Sequence, residues 1–266
     1  MHKAKFDYHR PESVDAALAL LQQGGKALAG GHSLIPVMKM RLAQPDALID
    51  LGRIPDLSGI TDEGDSLRIG ATTTHTEVNQ SDLVQASVPV LCQTAGMIGD
   101  PQVRNRGTIG GSIAHADPAA DYPTVLVALG ATVHIQGPNG SRDVGAADFF
   151  VDLFQTALGE TELITAVTVP KLAGGAKASY QKHRHPASAY AVVGVCAVRS
   201  DSGQTVVIGG ASATPTKVTG PMGTDEEVMS SVAAAITDPM GDTYASGEYR
   251  VHLAGVLARR AIAATA

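Results

Sequence analysis

The chain has 266 residues, 44% of them hydrophobic, a formal net charge of -6 and only two cysteines. This length and apolar content suffice for one large domain or for two to three small ones, whereas an acidic balance without a long Lys/Arg run argues against a nucleic-acid surface, which needs clustered cations. Cys92 and Cys196 lie far apart in apolar segments, so a four-thiolate iron-sulfur cluster cannot be built from this chain and each reads as a small buried hydrophobe.

No apolar run approaches the roughly 18 residues of a membrane span, and Met1-His2-Lys3 leads into no signal-peptide core. The chain is therefore expected in the cytoplasm, where a disulfide is disfavoured. Residues 13–25 carry Val14, Ala17, Leu18 and Leu21 at the i, i+3, i+4, i+7 spacing of an amphipathic helix, with Gly24-Gly25 as its stop. A short apolar run, Ala27-Leu28-Ala29, then reads as a strand feeding Gly30-Gly31-His32-Ser33. Residues 47–54 and 66–71 read as strands. Thr74 and Glu77 form a capping box that opens a helix through about Val84, and a second helix follows over residues 89–98.

The chain then enters residues 98–121, IGDPQVRNRGTIGGSIAHADPAAD, which hold a basic pair, a Gly-Gly loop and two aspartates but few large apolar side chains. A segment with so little to offer a core is suited to meet a ligand. In Thr108-Ile109-Gly110-Gly111-Ser112 the adjacent glycines permit positive φ and remove the Cβ atoms that hold an anion away. Successive amides can turn inward as a nest, with the Thr108 and Ser112 hydroxyls as further donors. The pyrophosphate of a dinucleotide suits such a nest. Alone, a Gly-Gly pair is more often a tight turn; here Ala29-Gly30-Gly31-His32-Ser33 repeats the pattern. Neither loop has the G-x-G-x-x-G spacing, and no P-loop signature is present. A branched Cβ at Gly30 or Gly110 is expected to block the phosphate's approach.

Arg104 and Arg106 read equally as solvated surface charges or as groups that steer the anion and tie down the loop. Asp117 and Asp121 can share one side of a starting helix, as caps or as acceptors for hydroxyls; acid-base catalysis is the weakest reading. His32 lacks companions at metal-binding spacing and is expected to make a polar or packing contact. Further along, residues 122–129 form an apolar helix ending at Gly130, strands over 131–136 and 141–144 straddle the hairpin signal Pro138-Asn139-Gly140, and residues 163–169 form a strand closed by Pro170. Gly174-Gly175 marks a boundary. Beyond it, strands over 190–199 and 205–210 precede helices over 225–236 and 246–264, the order of a separate α+β module. Residues 182–190, KHRHPASAY, place two histidines two apart; with no third ligand type nearby, a solvated loop is favoured over a metal site.

AGGHSLIPVMKMR (residues 29–41) and IGDPQVRNRGTIGGSIAHADPAADYP (98–123), with KHRHPASAYAVVGV (182–195) and YRVHLAGVLARRA (249–261), resemble the medium, FAD-binding subunit of heterotrimeric molybdenum hydroxylases. That group includes the medium chain of aerobic carbon monoxide dehydrogenase and the equivalent domain of xanthine dehydrogenase. Either Gly-Gly loop alone is a weak signal; both, in this order and with these flanks, are strong. The resemblance implies an α+β protein with the VAO/PCMH-type FAD-binding fold: α/β subdomains over residues 1–55 and 56–173, and a C-terminal α+β domain over 174–266 that closes over the flavin.

It also implies non-covalent FAD, held by Ala29, Gly30, Gly31, His32, Ser33 and Leu34 from one loop and by Thr108, Ile109, Gly110, Gly111 and Ser112 from the other. Asp117 and Asp121 would accept hydrogen bonds from ribose or ribityl hydroxyls, and Leu163 and Ile164 would lie near the adenine end. Lys182 would reach the cofactor, and Tyr190 would cover one face of the isoalloxazine. Members often carry Gly or Asp just before this aromatic, where this chain has Ala189. The implied partners are a small subunit with two [2Fe-2S] clusters and a large subunit with the molybdenum cofactor, assembled as a dimer of heterotrimers, cytoplasmic or peripheral to the membrane. Electrons would pass through the FAD of this chain to an external acceptor, with no residue here serving as nucleophile or general base. Three readings compete: a self-contained flavin oxidoreductase, a non-catalytic assembly subunit, and NAD in the same loops.

Overall fold

The structure, a computed structural model, describes residues 4–172 and 174–266; the signal-peptide reading of Met1-His2-Lys3 and the end of the segment at Ala173 lie outside the described residues. The chain opens with β1 (Asp7–His9), α1 (Val14–Leu21), β2 (Lys26–Leu28), α2 (Leu34–Lys39) and β3 (Ala47–Asp50), whose strands form a parallel sheet in the order β1-β3-β2. Ser13 caps α1 by accepting the Ala16 N–H at 3.2 Å, and Ala17, Leu18 and Leu21 face a small core with Ile49, Leu51 and Leu57. Because parallel strands end at one edge, the Gly30–Ser33 loop after β2 emerges beside the end of β3. The strand expected over 47–54 stops at Asp50. There the Asp50 carboxylate takes the Gly52 N–H at 2.9 Å and the Ile54 N–H turns back to the Leu51 carbonyl, which bends the chain into a 3-10 turn at Pro55–Leu57.

The next stretch runs through β4 (Ile60–Asp62), β5 (Ser66–Gly70), α3 (His75–Gln80), α4 (Asp82–Ser87), α5 (Pro89–Met97), α6 (Pro101–Arg104), α7 (Ile109–His115) and α8 (Asp121–Ala128). It continues with β6 (Thr132–Gly137), β7 (Gly140–Gly145), α9 (Ala146–Phe149), β8 (Phe150–Asp152), β9 (Gln155–Thr156) and β10 (Leu163–Pro170). An antiparallel sheet in the order β4-β5-β10-β6-β7 packs against these helices. The capping box at Thr74 and Glu77 forms, but the single helix expected through Val84 is two. Ser81 ends α3 in extended geometry and caps α4 by accepting the Val84 N–H. A serine side chain that competes for backbone donors is a local alternative to helix continuation.

The remainder is β11 (Lys177–Arg184), β12 (Ala191–Ser200), β13 (Gly203–Gly209), β14 (Thr216–Lys217), α10 (Asp225–Ala235) and α11 (Gly247–Ala263), with an antiparallel sheet in the order β11-β12-β13-β14. Val193, Val195, Ala197, Val206 and Ile208 face α10 and α11. The alternate residues Cys196 and Val207, with Tyr180, join the core beneath α8. Both faces of the sheet are covered, so β12 reads as an unbroken apolar run. The strand β11 is a correction: the solvated loop expected over 182–190 begins inside it, with Lys182 paired to Gly194. Its sequence, KASYQKHR, hid it because the inward face carries tyrosine and lysine instead of aliphatic residues. Among the described residues, no helix is long and apolar enough to cross a membrane.

Candidate functional site

The two glycine loops touch. A Cβ placed on Gly30 would lie 2.1 Å from the Arg106 carbonyl oxygen, and one on Gly111 would lie 3.7 Å from the Cβ of Ala29. Gly31 takes φ +75°, a left-handed geometry that a side chain disfavours. The exposed His32 adds a cross-link, its Nε2 lying 3.2 Å from the Gln102 carbonyl. Among the described hydrogen bonds, none uses the backbone N–H of Gly30, Gly31, His32 or Ser33. A row of unspent donors beside the Thr108 and Ser112 hydroxyls has the chemistry to take the oxygens of an anion.

The second loop works differently from the nest expected of it. Thr108 caps α7, and the Ile109 and Gly110 amides donate to the Thr73 and Ala71 carbonyls at 3.0 and 2.9 Å. Gly111 donates to the Thr108 hydroxyl oxygen at 3.1 Å. Among the described hydrogen bonds, Thr108 alone of the second loop's amides has no partner, so most of the site's free backbone donors are those of the first loop. The glycines also serve another purpose than the one expected: a Cβ on Gly110 would meet the Ala71 backbone and side chain at 2.6 Å, not an incoming phosphate, and a Cβ on Gly30 meets the opposite loop. Their substitution acts first on loop packing. Gly30→Ala is expected to push the loops apart at a cost of roughly 1–3 kcal/mol, as overpacking does. That loss weakens FAD binding by about 10- to 100-fold. Titration of the folded variant with FAD checks this, and an unchanged dissociation constant would refute it.

Below the loops lies a buried charged cluster. Asp121, the first residue of α8, is 4% exposed; its carboxylate accepts the Tyr180 hydroxyl at 2.7 Å and the Lys182 ammonium at 2.8 Å. Lys182 Nζ also approaches the Met97 carbonyl at 3.3 Å, and the Arg184 side chain reaches the Gly99 carbonyl at 3.5 Å. Tyr180, Lys182 and Arg184 alternate along β11, so one strand face grips both ends of the 98–121 segment. Burial pushes the Asp121 carboxyl up, against the opposing pull of Lys182 and Tyr180. Tyr180 had no place in the sequence reading. Its signal is the missing Cβ of Gly194, where a side chain would meet the Tyr180 hydroxyl oxygen at 2.3 Å.

Asp117 stands in the turn before α8, with one oxygen accepting the Ala119 N–H at 2.9 Å. Tyr190 is 40% exposed. Burial of the ring and the charge of Asp117 hold its phenol above the usual range, and a hydrogen bond with the Ser33 side chain partly offsets them. Ser33 and Asp117 both lie close enough to the Tyr190 phenol to shift it. The Ala191 N–H donates to the Ala119 carbonyl at 3.0 Å and fixes the chain just after the ring. Ala189 takes φ +62°, and the left-handed region costs an alanine about 1–2 kcal/mol.

Arg104 ties down the loop through the Ile98 carbonyl at 3.0 Å, whereas Arg106 is exposed. Leu163 and Ile164 are both core residues, the first packing with the small N-terminal core and the second with the central one. Leu34 opens α2 just beyond the free donors. His75, buried under Gly107, has an unpartnered Nδ1 and packs against Tyr122 at a centroid distance of 5.3 Å. Burial, then the nearby charges of His32 and Arg104, lower its pKa to about 4. Among the described residues no cluster of three His, Cys, Asp or Glu side chains could hold a metal ion.

Residues 4–172 match the family described as the FAD binding domain in molybdopterin dehydrogenase. The chain is 41% identical to the carbon monoxide dehydrogenase medium chain of Hydrogenophaga pseudoflava, over 97% of this chain and 96% of that one. It is 34% identical to the 6-hydroxypseudooxynicotine dehydrogenase complex subunit alpha of Paenarthrobacter nicotinovorans, over 99% and 95%. Among solved structures, it superposes on a chain of Hydrogenophaga pseudoflava carbon monoxide dehydrogenase lacking the Mo-pyranopterin moiety, with a TM-score of 0.94, 39% identity and coverage of 100% and 98%.

Proposed function

Because this chain belongs to the family of FAD-binding medium subunits of molybdenum hydroxylases, we propose that it takes electrons from [2Fe-2S] clusters of a small partner subunit and passes them to an external acceptor. The observation that carries the reading is the cradle itself: four unspent amides at Gly30–Ser33 abut a second loop that offers hydroxyls, with Asp117 and Tyr190 at one end. FAD, when bound, supplies the redox chemistry; the protein binds, orients and shields it. In this reading Gly30, Gly31, His32 and Ser33 bind the pyrophosphate with the Thr108 and Ser112 hydroxyls, and Ala29, Leu34, Ile109, Gly110 and Gly111 shape the loops. Asp117, with one oxygen free of backbone bonds, accepts from cofactor hydroxyls, while the paired Asp121 and Lys182 form the floor. Leu163 and Ile164 wall the adenine end, and the Tyr190 ring covers the isoalloxazine.

The chain divides into residues 1–55, 56–173 and 174–266, each holding one of the three larger sheets, and FAD lies where the glycine loops meet the third unit. The large partner carries the molybdenum cofactor and the substrate site, and the assembly is a dimer of heterotrimers in the cytoplasm or at the membrane surface. The relatives are named for carbon monoxide and for 6-hydroxypseudooxynicotine, which agrees with a substrate site on another chain.

The test is the visible spectrum of the purified assembly, followed by heat release and identification of the flavin. Released FAD with residual iron-sulfur absorbance and two further polypeptides supports the reading; a flavin-free assembly overturns it. Turnover by the lone FAD-loaded chain would favour a self-contained oxidoreductase. Tyr190→Ala is expected to alter flavin reoxidation severalfold while FAD is retained, since stacking contributes about 0.5–1.5 kcal/mol. Stopped-flow reoxidation at the parent rate would show that another group covers the ring.

A further inference from the structure

We propose that His185 is a positioning residue for Tyr190: its imidazole is the template on which the loop carrying the flavin cover is folded. This rests on the reading of Tyr190 as that cover, and goes beyond it by assigning what holds the ring in place. His185 Nδ1 accepts the backbone N–H groups of Ala187 and Ser188 at 3.2 and 3.3 Å. Its own N–H donates to the Tyr190 carbonyl at 2.8 Å, and the Ala189 N–H returns to the His185 carbonyl at 3.0 Å. The Ser188 hydroxyl oxygen accepts the Tyr190 N–H at 3.4 Å. All of these bonds begin and end within residues 185–190, and the imidazole supplies the two that hold the Ala187 and Ser188 amides. The pattern is that of a helix cap, with a side-chain acceptor serving donors two and three residues on and a proline between. Accepting two N–H groups requires an unprotonated Nδ1, which assigns the neutral imidazole with its proton on Nε2.

The ring is in turn held from the other side. It packs against Tyr244 at a centroid distance of 4.4 Å. Tyr244 and Ala245 donate their N–H groups to Asp242 at 2.8 and 2.9 Å, and Asp242 is paired with Arg250 at 2.6 Å. Arg250 is 7% exposed and donates to the Val192 and Gly210 carbonyls at 2.6 and 2.7 Å, which anchors the whole series to the sheet that begins just after Tyr190. The strained Ala189 gives this scaffold its purpose. A non-glycine residue in the left-handed region persists only where neighbouring contacts over-determine it; the imidazole fixes the two residues before Ala189, and the Ala189 N–H closes on the His185 carbonyl.

The experiment uses the full chain loaded with FAD and three substitutions. His185→Phe keeps a ring against Tyr244 but loses the acceptor; His185→Asn restores an acceptor at the same position in the side chain; Tyr190→Ala removes the cover. Backbone hydrogen exchange over residues 185–190 is expected to speed about 5- to 30-fold in His185→Phe, as loss of two hydrogen bonds predicts, and to stay near the parent rate in His185→Asn. Flavin fluorescence should rise in His185→Phe and in Tyr190→Ala, and the double variant should show no further rise, because both changes remove one effect. Parent-like exchange in His185→Phe, or additive fluorescence changes in the double variant, would overturn the role of His185. An unchanged flavin signal in Tyr190→Ala alone would instead overturn the cover reading, while the exchange result still decides whether His185 organises the loop.

Discussion

Lys182→Met is expected to destabilise the chain by about 3–5 kcal/mol, the usual cost of removing one partner from a buried ion pair. The Lys182 side chain is 3% exposed and its carboxylate partner 5%, so no water replaces the lost ammonium. Tyr180 still donates one hydrogen bond to Asp121, which is why the loss stays within that range. The variant also carries a sign that identifies the cause. Burial already pushes the Asp121 carboxyl up, and without the opposing cation it rises further above its unfolded value. A raised carboxylate pKa gives stability that is present at low pH and lost as pH rises through the folded value. The deficit of Lys182→Met should therefore shrink on acidification, and adding Asp121→Asn should recover part of it at neutral pH. Urea midpoints of the three variants at several pH values check this. A pH-independent deficit, or strictly additive single and double variants, would mean that packing and not charge is at stake.

His75 is expected to make the parent chain acid-sensitive by about 3 kcal/mol. Its pKa falls from 6.5 to about 4 because burial penalises the imidazolium, and each pKa unit is worth about 1.4 kcal/mol. The unfolded chain binds the proton first. Stability thus begins to fall as pH drops below about 6.5, and the whole contribution is lost below about 4. The ring lies against Gly107 and its backbone N–H donates to the Gly107 carbonyl at 3.0 Å, immediately before Thr108. Loss of FAD should accompany the unfolding of this region. Denaturant titrations between pH 7 and 4 on the parent and His75→Leu test the assignment: the parent should lose stability over this window more steeply than the variant. Identical slopes would remove His75 as the cause.

These two expectations concern residues to which periodicity was blind. His75 was legible only as the first residue after a helix cap. Lys182 and Asp121 were legible through resemblance as cofactor contacts, but their pairing joins positions far apart in the chain. No local pattern reports that a strand's lysine will meet a helix's first aspartate. The reverse holds for features written in neighbouring residues. The Thr74-Glu77 box, the amphipathic helix carrying Val14, Ala17, Leu18 and Leu21 and the Pro138-Asn139-Gly140 hairpin all formed as read, because each is decided by bonds within a few residues.

The sequence by itself determined which family the chain belongs to and singled out two glycine loops and the 98–121 segment as the candidate site, since backbone permissiveness and donor chemistry are properties of short stretches. The tertiary structure alone decided what each glycine is for. Gly30 and Gly110 make room for Arg106 and Ala71, which are remote in sequence, and most open donors belong to the first loop because Ile109, Gly110, Gly111 and Ser112 spend theirs within α7 and on the Thr73 and Ala71 carbonyls. It also decided that residues 182–184 lie on a strand and that residues 185–190 are a bonded turn. Both depend on packing against distant elements, a free energy that no local window contains.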